Sequence, residues 1–114
     1  LHLDQMNPLL QSRVFPFLDD ILGFYLHHHL QGFGVRACFL HDPLALGLVI
    51  WPELGAWTPL RVDVETQGQL TRGVTVADLR PEAHRPPFVP NAQVCLDVDA
   101  ASFVTRFIKR LATL

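Results

Sequence analysis

A histidine, an aspartate and a proline follow one another at His41, Asp42 and Pro43, inside an otherwise apolar run. Unpaired polar groups are costly to bury, so two ionisable side chains in such a run require a reason. One reason is helix capping, because aspartate suits the residue before a helix and proline suits the first helical position. That role does not exclude chemistry, since a carboxylate at the mouth of a cleft can also hold a cation.

Three consecutive histidines, His27 to His29, form a second group with possible metal chemistry. Consecutive residues of a helix point about 100° apart, so three in a row cannot converge on one ion. We therefore expect surface histidines here, except that His29 lies one turn from Tyr25 on an apolar stripe. A metal site made of His41, Asp42 and one of these three histidines is an alternative.

The elements that must position these groups are helical in the first half of the chain. Apolar residues at three- and four-residue spacing predict a helix from Leu9 to about Leu30. Pro16 either kinks this segment or starts a second helix there. Gly32 and Gly34 are expected to end it. The apolar run from Pro43 to about Ile50 predicts a short buried helix.

A β-hairpin is predicted in the second half of the chain. Residues Leu60 to Thr66 alternate between apolar and charged types, which is typical of a half-buried strand. A turn at Gln67-Gly68 leads to a second strand from Leu70 to Asp78. The acidic residues of this hairpin could suggest a metal site, but the alternation explains them as its solvated face. The proline-rich segment from Arg80 to Pro90 is predicted to be a loop, which could be mobile.

The chain ends with a strand and a helix. Ala92 to Val98 is predicted to form a short apolar strand, and Asp99 to cap the last helix. The core face of that helix consists of Phe103, Phe107, Ile108 and Leu111. Seen alone, the chain is expected to be α+β, with helices packed on a small sheet built from the hairpin and the Gln93 to Val98 strand. Residues 1–114 form a single segment.

Composition limits the possible functions. With 114 residues, 49% of them apolar and 18% charged, the chain is one globular domain at most. A formal net charge of −2 gives no electrostatic case for nucleic acid or an acidic membrane surface. Cys38 and Cys95 are expected to be buried free thiols, although a disulfide between them is possible. No membrane span or signal peptide is visible, so we expect a reduced, cytoplasmic setting.

Several segments of the chain, taken in order and spacing, resemble the C-terminal third of the inosine-uridine-preferring nucleoside hydrolase family. The resemblance runs from about Phe17 to Leu111. The segments that carry it are Phe24-Tyr25, Leu40-His41-Asp42-Pro43-Leu44-Ala45, Val62-Asp63-Val64-Glu65-Thr66, Gly68-Gln69-Leu70-Thr71-Arg72-Gly73-Val74-Thr75-Val76-Ala77-Asp78 and Leu96-Asp97-Val98-Asp99.

The resemblance implies a fragment of an α/β domain with a mostly parallel sheet. It also implies an N-glycosidase that cleaves ribonucleosides into ribose and a free base, as in purine and pyrimidine salvage. Such enzymes hold one calcium ion, which binds the ribose diol and lowers the pKa of the attacking water. The sugar passes through an oxocarbenium-like state, and a proton donor helps the base to leave.

The resemblance assigns a role to four residues. His41 matches the histidine that protonates the departing base, a task that suits an imidazole near neutral pH. Asp42 matches the family's C-terminal calcium ligand. Tyr25 and His29 fall where some members line the nucleobase pocket from one helix, by stacking and a polar contact.

Most of the family's active site has no counterpart here. The amino-terminal Asp-x-Asp-x-x-x-Asp-Asp cluster, which supplies most calcium ligands and the base that activates water, is absent, as are the Asn and Glu residues that grip the ribose. A single carboxylate cannot hold calcium, which takes six to eight oxygen ligands. We therefore predict that this chain alone neither binds calcium nor hydrolyses nucleosides.

Three hypotheses follow. The first is a piece of a nucleoside hydrolase that functions when joined to its N-terminal part, and the second is a non-enzymatic truncated remnant that folds and self-associates. The third is the histidine-based metal site. The chain begins at Leu1 without a methionine, which predicts a processed, cloned or truncated start. Exposed apolar helix faces are expected to bind copies of the chain or the missing part.

Overall fold

The computed structural model describes residues 1, 3–81, 84 and 89–114, without the side chains of residues 3 and 4. Three α-helices and four strands occur in this part of the chain, together with two short 3₁₀ helices at Leu3–Leu9 and Pro52–Leu54. The elements are α1 (Phe15–Phe33), α2 (His41–Ile50), β1 (Gly55–Leu60), β2 (Val62–Val64), β3 (Thr75–Ala77), β4 (Ala92–Val98) and α3 (Ala100–Ala112). The predicted α+β composition, with helices, a β-hairpin and a short strand before the last helix, is confirmed.

The chain divides into two compact units. The first unit comprises Leu1–Leu54 and Asp99–Leu114, and the second comprises Gly55–Val98. All three α-helices belong to the first unit and all four strands to the second. No helix among the described residues is both long enough and apolar enough to cross a membrane.

Helix α1 begins later than predicted. Pro16 lies in its first turn, where a missing N–H costs nothing, so this proline starts the helix instead of kinking a longer one. The predicted helical start at Leu9 is therefore wrong. The helix ends as expected at Gly34, whose left-handed φ of 72° suits glycine and whose N–H donates to the Leu30 carbonyl.

Helix α2 is less buried than its composition predicts. Gly47 is its one buried residue, whereas Leu46 is 62% exposed and Val49 is 79% exposed. A helix that is apolar on all sides normally lies inside a larger domain. The prediction of a buried helix is wrong for this chain by itself, because the first unit covers only the side of α2 that carries Gly47.

Helix α3 forms as predicted. The Asp99 carboxylate accepts a hydrogen bond from the Ser102 N–H at 3.0 Å and caps the helix. Phe103 and Ile108 are buried, which confirms the predicted core face. Ile108 joins the core of the first unit with Met6 and Leu9 of the first 3₁₀ helix, and half-buried side chains of α1 pack around them. This packing brings α1 and α3 together.

The second unit contains two separate strand pairs instead of one sheet. Strand β4 pairs antiparallel with β1, in the register Gly55↔Val98 to Leu60↔Ala92, with an irregularity between Ala56 and Trp57. Strands β2 and β3 form the hairpin. The expectation that the Gln93 to Val98 strand joins the hairpin is therefore wrong, because this strand pairs with β1 and the hairpin strands pair with each other. The sequence does not predict β1, because Gly55 and Pro59 are poor strand formers.

The hairpin is shorter than predicted, with three residues in each strand. A long loop replaces the tight turn at Gln67-Gly68, and the Gly73 N–H donates to the Glu65 carbonyl at its base. Gly73 has a φ of 89°, which favours glycine. Of the loop predicted from Arg80 to Pro90, residues 82, 83 and 85–88 lie outside the described part of the chain.

Candidate active-site cleft

A cleft of about 290 Å³ opens in the first unit between α1, the segment that leads into α2, and α3. Three of the four residues singled out in the sequence line it, namely Tyr25, His41 and Asp42. The remaining walls are mostly apolar, with Ile21 and Leu22 on α1 and Phe107 on α3 among them. An apolar cleft with a few polar groups converging at one end is typical of a small-molecule site.

His41 and Asp42 are the first two residues of α2, so both stand at the helix N-terminus. The capping residue is Leu40, and no side chain caps the helix. The prediction that Asp42 is the N-cap and Pro43 the first helical residue is therefore wrong by two positions. Proline is still tolerated as the third residue, because the first N–H groups of a helix have no intrahelical partner. The Asp42 carboxylate therefore does not cap the helix.

Tyr25 reaches the cleft from the middle of α1, and His29 follows one turn later. The His29 Nδ1–H donates to the Tyr25 carbonyl at 3.0 Å. The two rings have centroids 6.3 Å apart. His29 is therefore a neighbour of Tyr25 as predicted from spacing, but it is not itself among the residues that line the cleft.

Phe39 connects the two histidines of this region, and the sequence did not single it out. Its ring stacks on His41, with centroids 5.4 Å apart and an angle of 29° between the planes. It also contacts His29 at 5.6 Å, in an edge-on arrangement. The signal that could have found it is an aromatic residue two positions before His41, at the end of the loop from α1.

The structure does not favour a histidine-based metal site. Among the described residues, no group of three His, Cys, Asp or Glu side chains is arranged to hold a metal ion. His27 and His28 are exposed on α1, and the Phe39 ring contacts both His29 and His41. The alternative that combined His41, Asp42 and one of the three histidines is therefore not supported by this geometry.

Calcium does not fit the cleft as this chain forms it. Asp42 contributes one carboxylate, while calcium takes six to eight oxygen ligands. The other polar groups that line the cleft with it, the Tyr25 hydroxyl, the His41 imidazole and the Cys38 thiol, do not complete such a set. Within the described residues, the chain therefore offers at most a part of a calcium site.

Cys38 lies in the cleft wall as a buried free thiol, and Cys95 is free and half-buried. Burial raises the pKa of the Cys38 thiol, an effect that the nearby amino terminus partly offsets. A thiol with a raised pKa is a poor nucleophile, because the thiolate is the reactive form. The expectation of a buried free thiol is confirmed for Cys38, whereas Cys95 is only half-buried.

The acidic residues of the hairpin make local bonds instead of converging on a site. Arg61 donates two hydrogen bonds to Asp63, at 2.8 and 3.0 Å, and they hold the pKa of that carboxyl below its ordinary value. Glu65 accepts hydrogen bonds from the N–H groups of Gln67 and Gly68, which lower its pKa. These contacts support the solvated interpretation of the charged face.

A family model described as inosine-uridine preferring nucleoside hydrolase matches residues 2–105 of the chain. The pyrimidine-specific ribonucleoside hydrolase RihA of Citrobacter koseri is 36% identical over 94 residues, which are 82% of this chain and 29% of that protein. RihA of Escherichia fergusonii is 37% identical over 93 residues, or 81% of this chain and 29% of that protein. The chain therefore spans less than a third of these relatives.

Solved structures show the same relationship. A purine-preferring ribonucleoside hydrolase from Gardnerella vaginalis superposes with a TM-score of 0.80 at 28% identity, over 99% of this chain and 35% of that one. A plant nucleoside hydrolase superposes with a TM-score of 0.82 over 100% of this chain and 37% of that one, and its 22% identity shows the fold alone. The fold is therefore that of a piece of a nucleoside hydrolase domain.

The extent of the match also agrees with the resemblance, which predicted about a third of the family's length. The family model covers most of the chain, and Tyr25, His41 and Asp42 of the cleft lie within the matched residues. This chain belongs to the inosine-uridine-preferring nucleoside hydrolase family.

Proposed function

We propose that this chain is the C-terminal part of a calcium-dependent ribonucleoside hydrolase and forms the base side of its active site. The observation that carries the proposal is the cleft itself. Tyr25 from α1 and His41 and Asp42 from α2 line one cavity, although they belong to different helices. Release of a free base suits purine and pyrimidine salvage, and that role and a cytoplasmic setting stay predictions.

His41 is the proton donor in this proposal. A nucleobase that leaves as an anion is a poor leaving group, so a positioned acid lowers the barrier to cleavage of the N-glycosidic bond. The imidazole lines the cleft from the first position of α2 and is exposed there. An exposed imidazole can reach both the departing base and the solvent from which it is reprotonated.

Tyr25 offers an aromatic face for the base in this proposal, and apolar residues of α1 and α3 surround it. His29 supports Tyr25 through the hydrogen bond to its carbonyl. The relatives differ in base preference by name, since RihA is pyrimidine-specific and the Gardnerella vaginalis enzyme is purine-preferring. The proposed substrate class is therefore a ribonucleoside, with no narrower choice of base.

Asp42 is one calcium ligand in the complete site, and the other ligands come from the rest of the domain. The ion would supply the charge that holds the ribose diol and activates water. Because the described residues hold one carboxylate in the cleft, we propose that this chain alone is inactive and does not bind calcium.

A non-enzymatic remnant that associates with itself is the second candidate. The exposed apolar side chains of α2, among them Leu46 and Val49, favour association of some kind. The two candidates differ in what covers this face, which is the remainder of the hydrolase domain in the first and a second copy in the other.

A chimera tests the proposed function. This chain replaces the matched segment of the Citrobacter koseri hydrolase, and release of ribose from uridine and inosine is measured. We expect activity from the chimera, none from the chain alone, and a loss of about 10²- to 10⁴-fold in kcat for His41→Gln. His28→Gln, which alters an exposed histidine away from the cleft, is the matched control. Full activity of the His41→Gln chimera would refute the role of His41.

A further inference from the structure

A series of rings connects the middle of α1 to the start of α2. The Tyr25 ring neighbours His29, and His29 contacts Phe33 at 5.5 Å and Phe39 at 5.6 Å. Phe33 in turn meets Phe39 edge-on at 6.4 Å. Phe39 then stacks on His41 at 5.4 Å. Each distance lies in the range in which aromatic pairs attract one another.

Phe39 is the one member of this series that contacts rings on both helices. His29 and Phe33 both belong to the last turns of α1, and His41 is the first residue of α2. The loop between the helices ends at Leu40, so the Phe39 ring fixes that loop against α1 at the point where α2 begins. Phe39 also lines the cleft, next to the imidazole on which it stacks.

The position of Phe39 has no explanation in core packing. Its side chain is 65% exposed, so burial of apolar surface gives it little reason to adopt one orientation. The two rings from α1 and the stacking on His41 are the described contacts that orient it. A stacked pair with planes only 29° apart limits rotation of the imidazole, which is not fixed by any side-chain hydrogen bond among the described residues.

We propose that Phe39 is a positioning residue, which holds the His41 imidazole in the orientation needed to protonate the departing base. The inference rests on the proposed function of His41. The inference adds an explanation of how the exposed His41 side chain keeps one orientation. Positioning matters because a misplacement of about 1 Å can cost on the order of 100-fold in rate.

The first test does not depend on enzymatic activity and uses the isolated chain. Proton NMR should show cross-peaks between the Phe39 ring protons and the His41 ring protons, with the His41 signals identified from a His41→Gln variant. In Phe39→Leu, the His41 signals should move toward their positions in the unfolded chain, and Phe39→Tyr should leave them in place. Phe17→Leu is the matched control, because Phe17 is 66% exposed and makes no ring contact within the described residues.

The second test uses the chimera with the Citrobacter koseri hydrolase. We expect Phe39→Leu to lower kcat about 10- to 100-fold with little change in KM, and Phe39→Tyr to restore it. Unchanged His41 signals in Phe39→Leu, or an equal change in Phe17→Leu, would overturn the inference. If the Phe39→Leu chimera is fully active and the His41→Gln chimera is inactive, the inference about Phe39 is overturned and the proposed function stands. If the His41→Gln chimera is active, the proposed function is refuted as well.

Discussion

The Phe103 ring of α3 lies against the backbone of Gly47 in α2, so closely that a Cβ atom at Gly47 would stand 2.5 Å from Cε2 of Phe103. Both residues are buried. Glycine is therefore required at position 47 by the close approach of the two helices. This contact places α2, and with it His41 and Asp42, relative to α3.

Gly47→Ala should destabilise the chain although alanine favours helices. Displacing the Phe103 ring costs about 1–3 kcal/mol, and the gain in helix propensity is about 1 kcal/mol, so we expect a net loss of up to about 2 kcal/mol. Urea unfolding followed by circular dichroism measures it. Gly23→Ala, where nothing lies within 4 Å of the added Cβ, should instead stabilise α1 by up to about 1 kcal/mol.

The same contact predicts a rescue. Gly47→Ala combined with Phe103→Leu should be less destabilised than the sum of the two single variants, because the smaller side chain makes room for the added methyl group. Strict additivity in this double-mutant cycle would contradict the proposed steric origin.

The Asp99 cap makes the stability of α3 dependent on pH. The Ser102 N–H lowers the pKa of the Asp99 carboxyl from its ordinary value of 3.8. A lowered pKa in the folded state means that this carboxylate stabilises the fold above pH 3.8 and loses that effect as the pH falls through the folded value. Thermal unfolding between neutral and acidic pH measures the dependence.

Two variants separate the cap from its charge. Asp99→Asn keeps a capping side chain without a titrating group, so its melting temperature should stay close to that of the parent at neutral pH and fall less on acidification. Asp99→Ala should lower the melting temperature at neutral pH. Equal acid sensitivity of Asp99→Asn and the parent would assign the dependence to other carboxylates.

Calcium binding should require more than this chain. Isothermal titration with calcium should give no saturable binding to the chain alone and clear binding to the chimera. Asp42→Asn should weaken binding to the chimera by an order of magnitude or more, since calcium affinity follows the number of charged ligands. Asp19→Asn, an exposed carboxylate on α1 outside the cleft, is the control. Tight calcium binding by the isolated chain would contradict the proposed division of ligands.

The apolar face of α2 should drive association. Leu46→Lys together with Val49→Lys should reduce the apparent molecular mass of the isolated chain in sedimentation experiments. The exposed apolar side chains that two copies of the chain would bury against each other are then replaced by charged ones. Gln69→Lys, an exposed change on the hairpin loop, is the charge control. A strictly monomeric parent chain would show that this face does not bind copies of itself.

Local signals made helix α3 and the presence of a helix after residue 40 predictable. The capping residue Asp99 and the spacing of Phe103 and Ile108 were enough to predict helix α3. The His41-Asp42 pair was recognisable as two ionisable residues inside an apolar run. These features depend on residues that are close in sequence, so they survive without knowledge of the fold.

Relationships between distant segments were not predictable in the same way. Strand β1 was missed because its pairing with β4 overrides the poor strand propensity of Gly55 and Pro59. Phe39 was missed because its importance lies in which rings surround it, and sequence spacing does not give the path of the loop before α2.

The hydrogen bond between the Asp99 N–H and the Leu54 carbonyl, 2.9 Å long, has a topological consequence. It joins the residue at which the chain leaves the first unit to the residue at which it returns. The two residues that flank the second unit, Leu54 and Asp99, are therefore bonded directly to each other. The bond therefore holds the start of α3 beside the end of the second 3₁₀ helix, so a change in the length of the second unit does not by itself move α3.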